Sequence, residues 1–331
     1  MQWPEVDLVG AFWQWLASLK LLLSGAASPF WWPSLLSALL AGAVLAWFAG
    51  HRSGGLLGYL FPRDRAYLKE LPVDLACWLA GSSLPFLLGP LMYLVSLGGT
   101  MVGVYAMGMP PQDAPAPGTW VLLLSAVLAF TFGDFALYWT HRLFHRYPIL
   151  WRAHALHHRP TVLTPLTGFR FWPQEQVVHM TANVFAQGIA LGLMVGTLGL
   201  KASPYTVLGV NVFTLVWNVA FSHLRHSHVP LPFPRWLSYV FVSPHMHQAH
   251  HSVAVEHYDK NFATVFSLWD WMFGTLYIPA KGSGSASASR TPPLRPRSRW
   301  GSRRRCEFFR ASVPSIRTTR TFPITRVCLL R

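Results

Sequence analysis

Charge is what this 331-residue chain has least of. Only 12% of its residues are Asp, Glu, Lys or Arg, against 52% hydrophobic residues and 16 tryptophans. Soluble domains carry about 25% charged residues, so water is excluded as the main solvent and a bilayer takes its place. Cysteine is scarcer still: Cys77, Cys306 and Cys328 have no framework spacing, which excludes a disulfide scaffold and a thiolate metal site. Acids are few as well, 12 against 27 bases, but the imbalance is local. Residues 281–331 hold 13 bases and one acid (Glu307), leaving 14 bases and 11 acids in the rest. Basicity is a property of the tail, and a nucleic-acid-binding body is excluded. No repeat of roughly 20 to 50 residues recurs. The opening MQWPEVDLVG has acids where a signal peptide carries Lys or Arg, so no cleaved leader is expected.

Long apolar runs are what the chain has instead. A spanning helix needs roughly 20 mostly apolar residues, and five stretches qualify: about 30–49, 84–107, 119–139, 180–200 and 204–222. Residues 8–25 are apolar too but contain Lys20, which fits an interfacial helix. The stretch 74–108 is read as one span with an interfacial lead-in, because Gly81, Ser82 and Ser83 interrupt it. Arg52, Arg63, Arg65 and Lys69 fall in one connection, and Arg142, Arg146, Arg152, Arg159 and Arg170 in another. The connections at 110–118 and 201–204 carry one Lys between them. The positive-inside rule puts the first two in the cytoplasm and the last two outside. After Ala280 the text turns to KGSGSASASRTPPLRPRSRW, expected to be disordered.

Fourteen of the 15 histidines follow residue 140. Eleven of them fall into His141-x3-His145, His154-x2-His157-His158 and His247-x2-His250-His251, with His223, His226 and His228 between the last two. Residues at i, i+3 and i+4 share a helix face, so HxxxH aims two imidazoles at one point and HxxHH aims three. Neutral imidazoles suit Fe, Zn, Cu and Ni. Eight to ten of them exceed the roughly four to six ligands of one ion, so two ions are expected. His51, His179 and His257 are read as ordinary interfacial or core histidines. Because His141 follows its apolar run without a linker, the centre should lie at the cytoplasmic membrane boundary. Asp134, two turns before His141 on the same face, is expected to orient a ligand histidine; a bond to Tyr138 or Thr140 is the alternative. Asp259, Asn261 and Asp270 serve equally well as loop anchors or as partners of the ligands. Trp269, Trp271, Phe273 and Tyr277 form either an interfacial belt or a lid.

These motifs resemble the fatty acid hydroxylase/sterol desaturase superfamily of membrane di-iron oxygenases. The resemblance runs from about Asp134 to Pro279 and rests on DFALYWTHRLFH, LWRAHALHHRPT, LRHSHVPLP and SPHMHQAHHSVAVEHYDKNFATVFSLWDWMFGTLYIP. It implies metal ligation by His141, His145, His154, His157, His158, His247, His250 and His251, with His226 matching the histidine of the family's HS motif. His228 joins them as a candidate on the residues alone. Two departures stand out: Arg159 replaces a common Ser, and Trp172 replaces the His of an R-x-H-P-x-E element that here reads Arg170-Phe-Trp172-Pro-Gln-Glu175. The family implies two iron ions (Fe2+/Fe3+), O2 as co-substrate, and a membrane lipid such as a sterol, fatty acyl chain or carotenoid, hydroxylated or desaturated. Nothing resembles a flavin, haem or nicotinamide site, so electrons are expected from a ferredoxin or cytochrome. The cationic face of Arg142, Arg146, Arg152, Arg159 and Arg225 either docks that donor or is plain positive-inside charge.

The expected architecture is an all-α integral membrane protein with four to five transmembrane helices and a cytoplasmic histidine-rich helical cap around a dinuclear metal site. It divides into an N-terminal membrane region (1–118), a catalytic domain (119–280) and a basic tail (281–331). A bacterial chain of this kind belongs in the inner membrane, with its site facing the cytoplasm. The competing class is a zinc or other divalent-metal transporter. It is disfavoured because the spans hold almost no polar group besides Asp134.

Overall fold

A computed structural model describes residues 32–48, 65–108, 118–198, 206–207 and 210–280. The expected interfacial helix at 8–25, the loops at 110–117 and 201–204, and the basic tail lie outside the described residues. Among the described residues, secondary structure is helical except for one short ladder. Helix α1 is Trp32–Phe48, α2 Arg65–Met107, α3 Thr119–Arg146, α4 Pro148–His154 and α5 Pro173–Leu198. Strands Thr206–Val207 and Val210–Asn211 pair antiparallel ahead of α6, Val212–Arg225. Helices α7 (Pro244–His250) and α8 (Leu268–Met272) follow, separated by 3-10 turns.

Among the described residues, three helices are long and apolar enough to cross a membrane: Leu87–Met107 within α2, Thr119–Arg146 and Pro173–Leu198. Their outward residues are apolar and exposed, Leu87, Leu94, Met101 and Tyr105 among them, as lipid contact requires. Two of the five expected spans are not among them. Trp32–Val44 is a shorter apolar helix. The run 204–222 is broken at Asn211, whose side chain accepts the Phe213 amide at 3.0 Å and caps α6. The 14 residues of α6 reach only about 21 Å at 1.5 Å per residue. The expected interruption at Gly81-Ser82-Ser83 is absent too. Helix α2 continues through it and through Pro72, Pro85 and Pro90, with Ser83 Oγ donating to the Ala80 carbonyl.

Helix α5 packs against both α2 and α3. Glycines make the first contact possible. A Cβ on Gly99 would sit 2.2 Å from the Phe185 carbonyl oxygen, and one on Gly192 would sit 2.1 Å from that of Thr100. Backbone meets backbone there, as in close membrane helix pairs. The C-terminal segments form a cap on the end of α3. Its core is Tyr138, Val242, Met246, Phe262 and Ala263, flanked by Trp139, Trp269, Phe273, Leu276 and Ile278.

Candidate metal centre

Tyr147 is extended (φ −101°, ψ 125°) ahead of Pro148, which ends α3 and starts α4 at once. This sharp break folds His141 and His145, on the last turns of α3, toward the second box. That box is not wholly helical. Helix α4 stops at His154, and the His157 and His158 amides close a turn onto the His154 carbonyl at 2.9 and 3.4 Å. The third box lies on α7, capped by Ser243 Oγ accepting the Met246 amide at 3.2 Å, with His251 as the C-cap.

The rings gather in two groups, within each of which the ligand atoms all lie within 4.8 Å of one another. The first holds His141, His145, His154, His158 and His250; the second holds His157, His226, His247 and His251. Nine of the ten candidate histidines are therefore brought together. The tenth, His228, lies outside both groups, with its ring edge-on to Tyr67 at 6.0 Å. Each HxxHH box divides its rings, instead of aiming all three at one point. His154 and His158 enter the first group and His157 the second; His247 and His251 enter the second and His250 the first. The groups are neighbours: the His158 and His251 rings stack at 4.4 Å.

The donor set fits cations. His141 Nδ1 donates to the Phe262 carbonyl and His250 Nδ1 to the Lys260 carbonyl, each at 2.7 Å. A carbonyl only accepts, so both rings carry their proton on Nδ1 unless doubly protonated, and Nε2 is bare. His154 turns Nδ1 to Glu175 Oε1 at 2.5 Å. Yet the Nε2 of His141 lies 3.1 Å from that of His154 and 3.1 Å from that of His250. Converging bare lone pairs repel one another unless a cation lies between them. Protonation does not supply it. Burial, reinforced by neighbouring histidines, holds His154, His157, His158, His226, His247 and His251 well below the ordinary histidine range. His250 is pushed down to about 3, chiefly by burial. Neutral rings are ligand-ready rings.

The loop after α7 is shaped to present those two carbonyls. Asp259 and Asn261 both adopt φ 56°, a left-handed conformation that Asn and Asp tolerate best. Asn261 is fully buried and donates to the Met246 and Tyr277 carbonyls at 3.0 and 2.8 Å. Asp270 accepts the Phe262 and Ala263 amides at 2.8 and 3.0 Å and the Thr275 hydroxyl at 2.7 Å. Both anchor the loop, and neither touches a ring of the two groups.

Asp134 departs from expectation. Its carboxylate accepts the Val265 and Phe266 amides and the Trp269 indole N–H, each at 3.0 Å, and reaches no histidine. The carboxylate that does reach a box histidine is Glu175, which is completely buried. In the sequence Glu175 stands out only as the last residue of the Arg170-Phe-Trp172-Pro-Gln-Glu175 element. The available signal was an acid opening an apolar span, where an unpaired carboxylate is costly. Polar residues within the spans were also underestimated. His179, Asn183 and Gln187 follow Glu175 at four-residue intervals along α5. His179 Nδ1 meets Thr140 Oγ1 at 2.8 Å, and Gln187 donates to Asn183 at 2.5 Å. A Cβ on Gly133 would lie 2.7 Å from Asn183 Nδ2, so these side chains fill the α3–α5 contact.

The second group is braced from α2. Arg170 donates to Glu70 at 2.7 Å and to Asp74 at 3.1 Å, and Asp74 also accepts from Thr164 at 2.6 Å. The clamped segment stacks Phe171 on His157 at 4.4 Å and sets Gly168 behind His226, 3.0 Å from Nδ1 to a built Cβ.

Residues 126–275 match the fatty acid hydroxylase family model. An ornithine lipid hydroxylase, OlsE, of Rhizobium tropici is 29% identical over 173 residues, covering 51% of this chain and 46% of its own. Human alkylglycerol monooxygenase is 29% identical over 166 residues (50% and 32%), and rat lathosterol oxidase 27% over 174 (52% and 52%). The match thus spans about half or less of the length of these curated relatives. No solved structure gives a significant match. Together these findings fit the fatty acid hydroxylase/sterol desaturase superfamily.

Proposed function

We propose, with that superfamily fit as premise, that the chain is a membrane oxidoreductase in which nine histidines hold two iron ions for O2-dependent oxidation of a lipid C–H bond. Hydroxylation is the leading outcome and desaturation the other. The observation that carries it is the convergence of the bare Nε2 atoms of His141, His154 and His250 at 3.1 Å. When bound, the iron pair supplies the redox chemistry that joins one oxygen of O2 to carbon, with two electrons and two protons taking the other to water. The chain's own residues bind, orient and exclude water. His141, His145, His154, His158 and His250 hold one ion; His157, His226, His247 and His251 hold the other. Glu175 fixes His154 with Nε2 toward the ion, and the Phe262 and Lys260 carbonyls do the same for His141 and His250.

The first box sits on the end of α3, a helix apolar enough to span, which supports delivery of substrate sideways from the bilayer. The named relatives act on an ornithine lipid, an alkylglycerol or lathosterol. Their shared chemistry, a long apolar body with a polar end, is the class we assign to this chain. Electrons come from a separate ferredoxin or cytochrome. Arg146, Arg152 and Arg159 are exposed around the second box and suit an acidic donor, whereas Arg225 is turned inward to the Thr264 carbonyl at 2.9 Å. The centre faces the cytoplasm, in the inner membrane if the cell is bacterial. The division at residues 118 and 280 is part of the same proposal, with 119–280 as the catalytic part. Metal analysis of the purified chain, with O2 uptake and product analysis on a lipid extract, tests the reading. Two iron ions per chain and O2-dependent lipid oxidation are expected. Bound zinc without O2 uptake would favour a metal carrier.

A further inference from the structure

The cap has an exposed apolar face that neither the metal centre nor its supports use. It is made by two joined segments. Ser267 Oγ donates to the Ser238 carbonyl at 2.8 Å, the Val242 amide donates to the Val265 carbonyl at 2.8 Å, and the Tyr239 and Trp271 rings meet edge-on at 6.5 Å. On this joined surface Trp236 is 72% exposed, Trp271 58%, Met272 57% and Val240 41%. Charge is missing from it. Residues 236–255 contain no Asp, Glu, Lys or Arg, and the only one in 261–280 is Asp270, which is buried. Arg235, exposed at the edge beside Trp236, is the nearest cation in sequence on that side.

Depth is set by Asp134. It lies seven residues before His141 on α3, about 10 Å further along the helix axis at 1.5 Å per residue. Val265, Phe266 and Trp269 are all hydrogen-bonded to it. Phe135, which follows it and is itself 37% exposed, packs edge-on against Trp269 at 5.0 Å. The segment 265–272 therefore lies beside the interior of a candidate span, not beyond its end. Backbone amides at that depth have no water to bond and must be satisfied internally.

We propose that the face formed by residues 236–240 and 271–272 is immersed in the lipid bilayer, with Asp134 as the acceptor that satisfies the immersed backbone. The partner is the boundary between headgroups and acyl chains, where Trp and Tyr collect. Arg235 extends to the phosphates. This rests on the reading of the three long apolar helices as membrane spans.

The test uses the full chain in phosphatidylcholine nanodiscs, with its cysteines replaced and one nitroxide label at a time at Val240, Met272, Leu94 or Arg152. Collision with O2, which concentrates in lipid, is compared with collision with a water-soluble nickel chelate. Labels at 240 and 272 should resemble the one at 94, with strong O2 and weak nickel collision, and differ at least about fivefold in that ratio from the one at 152. Nickel accessibility at 240 and 272 equal to that at 152 would overturn the proposal while leaving the spans intact. Nickel accessibility at 94 as well would overturn the membrane reading and the proposal with it. A face covered by a second copy would show weak collision with both reagents, and this too would overturn it. In the unlabelled chain, a phospholipid with a diazirine on its acyl chain should leave adducts at 236–240 and 271–272. Adducts confined to the three spans would count against immersion.

Discussion

His157 and His250 occupy the same place in their two HxxHH boxes and belong to opposite groups of ligand atoms. His157 sits with His226, His247 and His251, and His250 with His141, His145, His154 and His158. Each box therefore lends one ring to the neighbouring group, so neither group is built from one box alone.

Exchanging either ring for alanine should cost one specific ion. His157→Ala should bring iron from two per chain toward one, depleting the four-histidine group, and His250→Ala should deplete the five-histidine group. Losses beyond the 10- to 100-fold typical of outer-sphere changes are expected in turnover. His226→Ala should behave like His157→Ala, whereas His228→Ala should keep both ions. Metal analysis of membrane-inserted protein checks all four; full metal content in His157→Ala would break the assignment.

The two buried carboxylates should part company. Glu175→Gln keeps the size of the side chain but weakens the partner of His154, so metal affinity of the five-histidine group should fall by roughly 10- to 100-fold. Asp134→Asn sets an amide nitrogen against N–H donors. It should cost about 3 kcal/mol of stability, while the protein that remains folded keeps its metal. Thermal unfolding in detergent beside metal titration separates the two. Equal metal loss in both variants would return Asp134 to the role first expected of it.

What sequence could and could not show follows from distance along the chain. HxxxH was legible because its spacing matches one helical turn, and α3 is a regular helix to Arg146. The splitting of HxxHH was not, because the i and i+4 rings part from the i+3 ring both on the turn after α4 and on helix α7, and which neighbouring rings each one joins is set by tertiary packing. Asp134 and Glu175 looked alike as acids in apolar helices. Their partners lie 131 and 21 residues away, where periodicity carries no information. His226 and His228 are two residues apart, and only tertiary packing sends one toward His157 and the other toward Tyr67. The run 204–222 was misjudged by composition alone, since Asn211 within it is a helix cap.

Helix contact in the membrane region can be probed with two glycines. Gly192→Ala would force a Cβ against the Thr100 carbonyl and should cost about 1–3 kcal/mol through overpacking. Gly89→Ala meets nothing within 4 Å and should be neutral or stabilising by up to about 1 kcal/mol. Unfolding temperatures in one detergent provide the comparison, and equal values would argue against the close α2–α5 approach.

A chain ending at Lys281 should insert, bind two metal ions and turn over like the full chain. All nine grouped rings lie between residues 141 and 251, and the family match ends at 275. Metal content and turnover of the truncated protein, each within about twofold of the full chain, are the expected result. Loss of either would assign the tail a role.

The most direct test is Mössbauer spectroscopy of the full chain loaded anaerobically with ferrous 57Fe in lipid nanodiscs, before and after O2 is admitted with lipid. The account predicts two iron environments in equal amounts, one for each histidine group, and both oxidised by O2. A single iron environment, or a spectrum that O2 leaves unchanged, would contradict it.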